Sequence, residues 1–197
     1  MTIYDLKPKF QALLRPIVNK LAKKNITPNQ VTWSALILSI ITGALVALTK
    51  GATFILLIIP IVMLIRMALN AIDGMLAREH DLKSDSGAML NELGDVISDA
   101  ALYLPLAFVV GISPIWIVLF VVVGIFTEIA GILGSVIGSE RRYDGPMGKS
   151  DRAFVIGLLA LLIGLGIEAG FWSDALLIIA TLMGVLTIFN RAKKAII

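Results

Sequence analysis

Six long apolar stretches constrain the fold of this sequence more than any other feature. A helix needs about 20 residues to cross the hydrocarbon core of a bilayer, which is roughly 30 Å thick. The stretches cover residues 31–49, 52–72, 88–110, 113–138, 153–170 and 174–190. Only 16% of the residues are charged, whereas about a quarter are charged in a soluble domain. We therefore expect an all-α integral membrane protein with six transmembrane helices.

The segment before the first stretch has a different pattern. Its apolar side chains recur at helical spacing, at Phe10, Leu13, Leu14, Ile17 and Leu21. Basic side chains occupy the other faces or the end, so we expect an amphipathic helix, which either lies in the membrane interface or packs on the protein's own cytoplasmic face. The predicted organisation is an interfacial helix over residues 1–26 and a six-helix transmembrane domain over residues 27–197.

Lys and Arg residues are concentrated on one side of the predicted spans. They precede the first span, lie between spans 2 and 3 and between spans 4 and 5, and follow span 6, whereas only Lys50 lies on the other side. Positively charged loops remain in the cytoplasm. We therefore expect both termini to be cytoplasmic. The chain has no cysteine and one histidine, which excludes disulfides and argues against a zinc site.

Seven of the fourteen acidic residues lie in one polar segment that joins the second and third apolar stretches. Asn70 and Asp73 are three residues apart and share a helix face. Asn91, Asp95 and Asp99 are spaced by four residues and form one stripe on the next helix. We expect these two polar faces to enclose a common space that begins at the cytoplasmic surface of the membrane.

The residue types in this segment suggest a metal and a phosphate. Clustered carboxylates repel one another unless a cation lies between them, and hard oxygen ligands suit Mg²⁺, Mn²⁺ or Ca²⁺. The small residues Gly74, Ala77 and Gly87 would let a bulky ligand approach the backbone, and Arg78 would hold its negative charge. The alternative is that the acids form structural ion pairs between helices.

These residues resemble the signature of the CDP-alcohol phosphotransferases (the class-I CDP-alcohol phosphatidyltransferase family), D-x2-D-G-x2-A-R-x8-G-x3-D-x3-D. This sequence reads Asn70-x2-Asp73-Gly74-x2-Ala77-Arg78-x8-Gly87-x3-Asn91-x3-Asp95, with every spacing kept. The resemblance extends to ITPNQVT before the first span, to the six-span layout and to the N-terminal helix. It therefore covers most of the chain.

The resemblance implies a membrane phosphotransferase of phospholipid biosynthesis. Such enzymes move a phosphatidyl or other substituted phosphate group from a CDP-alcohol, commonly CDP-diacylglycerol, to an alcohol acceptor and release CMP, with Mg²⁺ or Mn²⁺ as cofactor. Asn70, Asp73, Asn91 and Asp95 take the metal positions, and Asp95 also takes the position of the catalytic base. Gly74, Ala77, Arg78 and Gly87 take substrate-binding positions.

The resemblance also implies the surroundings of the site. It suggests a multi-pass protein of the bacterial inner (plasma) membrane, a site that faces the cytoplasm, contact with membrane lipid, a homodimer and no nucleic-acid partner. Lys149 and Arg152 lie in a segment that is weakly similar to one whose arginines contact an acceptor phosphate in some family members. We therefore expect Lys149 and Arg152 to bind substrate. The acceptor alcohol either carries a phosphate group or lacks one. Ordinary enrichment of cytoplasmic loops in positive charge is the alternative.

Two signature positions depart from the family pattern, because Asn70 and Asn91 stand where it has Asp. An Asn carbonyl still ligates Mg²⁺ but brings no charge, so the four-residue cluster carries −2 rather than −4. We therefore expect one tightly held metal, or weak occupancy of a second. A nucleotide- or metal-binding membrane protein with weak catalysis, built on the same scaffold, stays a second hypothesis.

Charged residues within the apolar stretches raise a further alternative. Arg66 and Glu128 lie at similar distances from the cytoplasmic ends of their spans, which predicts a buried ion pair, with Asp99 as a candidate third member. A transporter would also use such groups. Because the outer halves of the spans are almost entirely apolar, the sequence favours the transferase.

Overall fold

The computed structural model describes residues 3–196, with side chains from residue 8 onward, and over this range it is helical with no strand. The elements are α1 (Ile3–Lys23), α2 (Pro28–Thr49), α3 (Thr53–Glu79), α4 (Asp85–Tyr103), a 3-10 helix (Leu104–Phe108), α5 (Pro114–Val136), α6 (Lys149–Gly164) and α7 (Phe171–Ile196). The predicted all-α class is confirmed. Residues 1, 2 and 197 of the predicted segments lie outside the described residues.

Four of the described helices, α2, α3, α5 and α7, are long and apolar enough to cross a membrane. Any stretch of 18 residues in α4 contains at least three acidic side chains, so this helix is less apolar than those four. The helix α6 has 16 residues, and at about 1.5 Å per residue it is about 24 Å long. The other two predicted spans and the cytoplasmic placement of both termini therefore stay predictions.

Two predicted spans are shorter than the sequence pattern suggested. The third changes from α-helix to 3-10 helix after Tyr103, where Pro105 lacks the amide hydrogen that an α-helix would use. The fifth ends at Gly164, because Gly166 adopts a φ of 94° that reverses the chain. Apolar composition continues past both points, so hydropathy alone did not locate them.

The chain forms two compact units. The first contains Met1–Ile41 and Ile61–Ser98, and the second contains Thr42–Pro60 and Asp99–Ile197. The division falls inside α2, α3 and α4, so each of these helices contributes to both units.

The amphipathic helix α1 belongs to the core of the first unit. The core cluster comprises Leu14, Val18, Val31, Ile72, Met75 and Leu76, which come from α1, α2 and α3. Packing on the protein itself, one of the two predicted alternatives, is therefore confirmed. Part of the apolar face of α1 remains exposed, with Leu13 73% accessible, so its placement in the membrane interface stays a prediction.

The turn from α1 to α2 is fixed by local hydrogen bonds. Asn25 ends α1 in the left-handed conformation, with a φ of 57°. Thr27 Oγ1 then accepts from the backbone N–H of Gln30 at 3.3 Å, and Gln30 Oε1 accepts from the backbone N–H of Thr27 at 2.9 Å. This reciprocal pair is a capping box, and Pro28 occupies the first helical position. Together they determine where the polar first turn of α2 lies.

The connection from α3 to α4 is equally short. Asp81 turns the chain with a φ of 53°, and Ser84 caps α4 by accepting from the backbone N–H of Gly87 at 3.1 Å. Only residues 80–84 separate the two helices. A loop of this length makes them antiparallel neighbours, which brings the end of α3 beside the start of α4.

In the second unit α5 and α7 pack against each other along their lengths. Gly184 of α7 allows this close approach, because a Cβ there would lie 2.7 Å from Val123 Cγ1 of α5. The core on this face includes the fully buried side chains of Ile117, Phe120 and Leu177.

The capping box predicts a measurable loss of stability. Replacing Thr27 with Ala removes the side-chain acceptor at the start of α2, so we expect the free energy of unfolding in detergent to fall by about 1 kcal/mol. Ser34→Ala is the control, because this exposed side chain only bonds the carbonyl of Gln30 within α2. An equal effect of the two substitutions would contradict the role of the cap.

Candidate functional site

A cavity of about 600 Å³ lies in the first unit, between the starts of α2 and α4 and the end of α3. Seven of the residues predicted from the sequence line it, namely Asn70, Asp73, Gly74, Ala77, Arg78, Gly87 and Asn91. An eighth, Asp95, is hydrogen-bonded to one of them. The short connection between α3 and α4 therefore assembles the predicted site.

The amides and carboxylates of the site form two crossed pairs between α3 and α4. Asn70 of α3 donates from Nδ2 to Asp95 Oδ1 of α4, at 3.1 Å. Asn91 of α4 donates from Nδ2 to Asp73 Oδ2 of α3, at 3.4 Å. Each carboxylate thus receives a hydrogen bond from an amide on the facing helix.

The carboxylate of Asp73 has a further donor on α2. Thr32 Oγ1 donates to Asp73 Oδ2 at 2.9 Å. The Asp73 residue is only 3% exposed, and a buried carboxylate needs such donors to offset its lost hydration. Sequence reasoning missed Thr32. The available signal was its place in ITPNQVT, on the same side of the predicted membrane as the signature.

Two signature glycines make room for polar side chains of the cavity. A Cβ at Gly74 would lie 3.1 Å from Nη1 of Arg78, so the guanidinium folds over this position. A Cβ at Gly87 would lie 2.8 Å from Oδ1 of Asn29 and 2.9 Å from Oγ of Ser84. Gly87 therefore allows the first turns of α2 and α4 to approach each other closely at the cavity, and Gly74 leaves room for the guanidinium of Arg78.

The cavity also contains charge that the signature does not include. Lys83, Asp85 and Glu92 line it together with Arg78. Cationic and anionic groups therefore line the same cavity. A ligand with both a phosphate and a bound cation would match this mixture.

The donor set suits one hard divalent cation. Two carboxylates and two amides supply oxygen ligands of the kind that Mg²⁺ and Mn²⁺ prefer. Within residues 3–196 no three Asp, Glu, His or Cys side chains are grouped to hold a metal, because Asn70 and Asn91 take two of the four positions. The residues fit one cation better than two, since their formal charge is −2.

A second polar cluster lies in the second unit and centres on Arg152, which is 4% exposed. Its Nη1 donates to Thr127 Oγ1 at 2.7 Å. Its Nη2 donates to Glu128 Oε1 at 3.0 Å and to Asp99 Oδ2 at 3.3 Å. Arg152 is therefore a buried cation with two anionic partners.

Glu128 also contacts two other arginines. Arg141 Nη2 lies 3.1 Å from Glu128 Oε2, and Arg191 Nη1 lies 3.6 Å from Glu128 Oε1. Sequence reasoning considered only Arg66 as a partner of Glu128, and that pair stays a prediction. The binding of substrate by Lys149, which is partly exposed, and by Arg152 also stays a prediction.

The loop before α6 is attached to the end of α7 by another ion pair. Lys194 Nζ donates to Asp144 Oδ1 at 2.7 Å. This hydrogen bond lowers the pKa of the Asp144 carboxyl below its ordinary value. Both side chains are accessible to water, so the pair contributes little to stability.

The chain belongs to the CDP-alcohol phosphatidyltransferase family, whose model matches residues 25–191. This match confirms the family that the signature predicts. The chain is 44% identical over 197 residues to the inner membrane protein YnbA of Escherichia coli (strain K12), covering 100% of this chain and 98% of that protein. An uncharacterized protein of Aquifex aeolicus (strain VF5) is 38% identical over 96 residues, or 48% of this chain and 46% of that protein.

The fold matches that of a solved enzyme. Phosphatidylinositol phosphate synthase (PgsA1) of Mycobacterium tuberculosis with CDP-DAG bound aligns with a TM-score of 0.76 at 18% identity, over 91% of this chain and 92% of that chain. The same enzyme in complex with manganese and citrate aligns with a TM-score of 0.74 at 20% identity, over 91% and 87%. At these identities the likeness establishes a common fold.

The cluster around Arg152 predicts a large effect of a small change. Glu128→Gln removes the negative charge shared by three arginines, so we expect the protein to lose about 3 kcal/mol of stability, as when one partner of a buried pair is removed. Glu140→Gln is the matched control, because Glu140 is exposed. Thermal unfolding in detergent measures both. Equal unfolding temperatures for the two variants would contradict a stabilising role for this cluster.

Proposed function

We propose that this protein transfers a phosphatidyl or related substituted phosphate group from a CDP-alcohol, with CDP-diacylglycerol as the donor, to an alcohol acceptor, and that CMP is released. Family membership supports this class of reaction. The observation that carries the proposal is the meeting of Asp73 and Asp95 with Asn70 and Asn91 beside a cavity that also contains Arg78.

In the proposed reaction the acceptor hydroxyl oxygen attacks the lipid-side phosphorus of the pyrophosphate. The bond from that phosphorus to the bridging oxygen breaks, and CMP leaves with the electron pair. Asp95 accepts the proton of the attacking hydroxyl as general base. The hydrogen bond from Asn70 to Asp95 Oδ1 holds this carboxylate in one orientation.

The cavity supplies binding groups for the nucleotide part of the donor. Its volume of about 600 Å³ lies in the range of small-molecule sites. Arg78 and Lys83 would contact phosphate oxygens, because both line the cavity and carry positive charge. Gly74, Ala77 and Gly87 would leave the backbone open to the ligand.

We propose Mg²⁺ or Mn²⁺ as the cofactor. Asp73 and Asp95, with the amide oxygens of Asn70 and Asn91, would hold it. When bound, such an ion neutralises charge on the pyrophosphate and on the departing CMP. A manganese complex of the structurally similar Mycobacterium tuberculosis enzyme supports this choice.

We propose that the protein crosses the bacterial inner membrane six times, with the site and both termini facing the cytoplasm. The four long apolar helices, the distribution of Lys and Arg and the similarity to an inner membrane protein of Escherichia coli support this arrangement. The exposed apolar face of α1 would lie in the membrane interface. A homodimer is part of the proposal by family resemblance alone.

Substrate binding by Lys149 and Arg152 is proposed on family resemblance. Lys149 is partly exposed and would contact an acceptor phosphate directly. Arg152 already bonds Asp99 and Glu128, so a phosphate would have to compete with two carboxylates for it.

A second candidate function is binding without efficient turnover. The observation in its favour is that amides replace carboxylates at two metal positions, which reduces the charge available to hold metal. Such a protein would bind CDP-diacylglycerol and release little CMP.

The proposal is tested by CMP release from CDP-diacylglycerol. The purified protein is incubated with a panel of alcohols, with and without a phosphate group, in Mg²⁺, in Mn²⁺ or in EDTA. We expect metal-dependent release with at least one acceptor. Binding of CDP-diacylglycerol without CMP release from any acceptor would contradict the transferase and support the second candidate.

The role of Asp95 has its own test. Asp95→Asn keeps an oxygen that can accept from Asn70 but removes the base, so we expect kcat to fall by about 10²–10⁴-fold. Asp81→Asn is the matched control, because Asp81 is exposed and Asn also tolerates its left-handed conformation. Turnover by Asp95→Asn at the rate of this control would rule out Asp95 as the base.

A further inference from the structure

The crossed pairs give Asn70 and Asn91 a role that the signature does not assign. In each pair the amide Nδ2 is the donor, and the carboxylate on the facing helix is the acceptor. With aspartate in place of either asparagine, two carboxylates would face each other between α3 and α4. Such a pair would need a cation between its members. The amides provide the contact between α3 and α4 directly.

We propose that Asn70 and Asn91 are positioning residues that assemble the site without metal, and that the assembled site takes a single divalent cation when no nucleotide is bound. The proposal rests on the proposed function for the identity of the site as a metal site. It concerns how the site is held together and how many ions it takes.

Donors from neighbouring helices hold the two carboxylates in place. Asp73 receives hydrogen bonds from Asn91 and from Thr32, which come from two different helices. Asp95 receives one from Asn70. Each carboxylate therefore has a neutral donor on a neighbouring helix, and like-charge repulsion between facing side chains is absent from both pairs. No cation is required to keep α3 and α4 together here.

The charge of the site determines how many ions it takes. The two carboxylates together carry −2, which one divalent cation neutralises. A second cation would leave an excess of +2 in a cavity that already contains Arg78 and Lys83. Asp85 and Glu92, which also line the cavity, offset those two cations, so the sum of the lining charges still favours one ion.

The oxygen donors that the four residues offer also suit a single ion. The Nδ2 of each asparagine donates to a carboxylate, and its Oδ1, which carries the lone pairs, can ligate a metal. The four residues thus offer two charged and two neutral oxygen donors. One hard cation with added water ligands suits such a set, since Mg²⁺ commonly binds one or two carboxylates and retains several waters.

The test compares the wild-type chain with Asn70→Asp/Asn91→Asp, both purified in detergent without nucleotide. Calorimetric titration with Mn²⁺ gives the stoichiometry, and thermal unfolding is followed in EDTA and in Mn²⁺. We expect one Mn²⁺ per wild-type chain and an unfolding temperature that changes little between the two conditions. The double variant should bind two Mn²⁺, melt at a lower temperature than the wild type in EDTA, and be stabilised strongly by Mn²⁺.

Asn190→Asp is the control, because it adds a carboxylate at an exposed position of α7 and should keep the wild-type behaviour. If the double variant does not fold, Asn91→Asp alone provides the comparison, with the same expected directions. Two Mn²⁺ or none per wild-type chain would overturn the proposal. So would a variant that melts like the wild type in EDTA.

These outcomes are independent of catalysis. Metal-dependent CMP release from a protein that binds two Mn²⁺ would overturn this inference and leave the proposed function standing. One Mn²⁺ per chain without CMP release would support this inference and contradict the proposed function.

Discussion

The hydrogen bonds that cross between α3 and α4 are the interactions on which the site depends. They join two helices that a loop of five residues, 80–84, already makes antiparallel neighbours. A carboxylate that loses hydration on burial needs hydrogen-bond donors in its place. The amides of Asn70 and Asn91 solve this problem with neutral groups. The cavity, the proposed metal position and the proposed base all follow from that arrangement.

The second unit deals with buried charge in a different way. Arg152 is surrounded by Thr127, Glu128 and Asp99, and Glu128 also pairs with Arg141 and Arg191, so full positive charges face full negative charges. Such a network is costly to break but contributes less to stability than its number of contacts suggests. The two units therefore differ. In the first unit neutral amides contact the carboxylates beside a cavity, and in the second unit buried charged side chains pair with one another.

The sequence predicted the site better than the helix ends. Spacings of three and four residues place side chains on one helix face whatever the tertiary structure, so Asn70 could be grouped with Asp73, and Asn91 with Asp95, in advance. Thr32 could not, because its bond to Asp73 depends on how α2 packs against α3. The pairing of Arg152 with Glu128 joins residues 24 positions apart and has no local signature. Pro105 ended a helix inside an apolar stretch, where hydropathy does not change.

The most direct test is a double-mutant cycle between Asn70 and Asp95 in metal-free protein. The stabilities of Asn70→Ala, Asp95→Ala and the double variant are measured in EDTA by unfolding in detergent. Metal-independent assembly predicts a favourable coupling of about 1 kcal/mol or more, as for a hydrogen bond to a charged group. A coupling indistinguishable from zero in EDTA, which appears only when Mn²⁺ is added, would contradict it and show that the ion holds the two helices together.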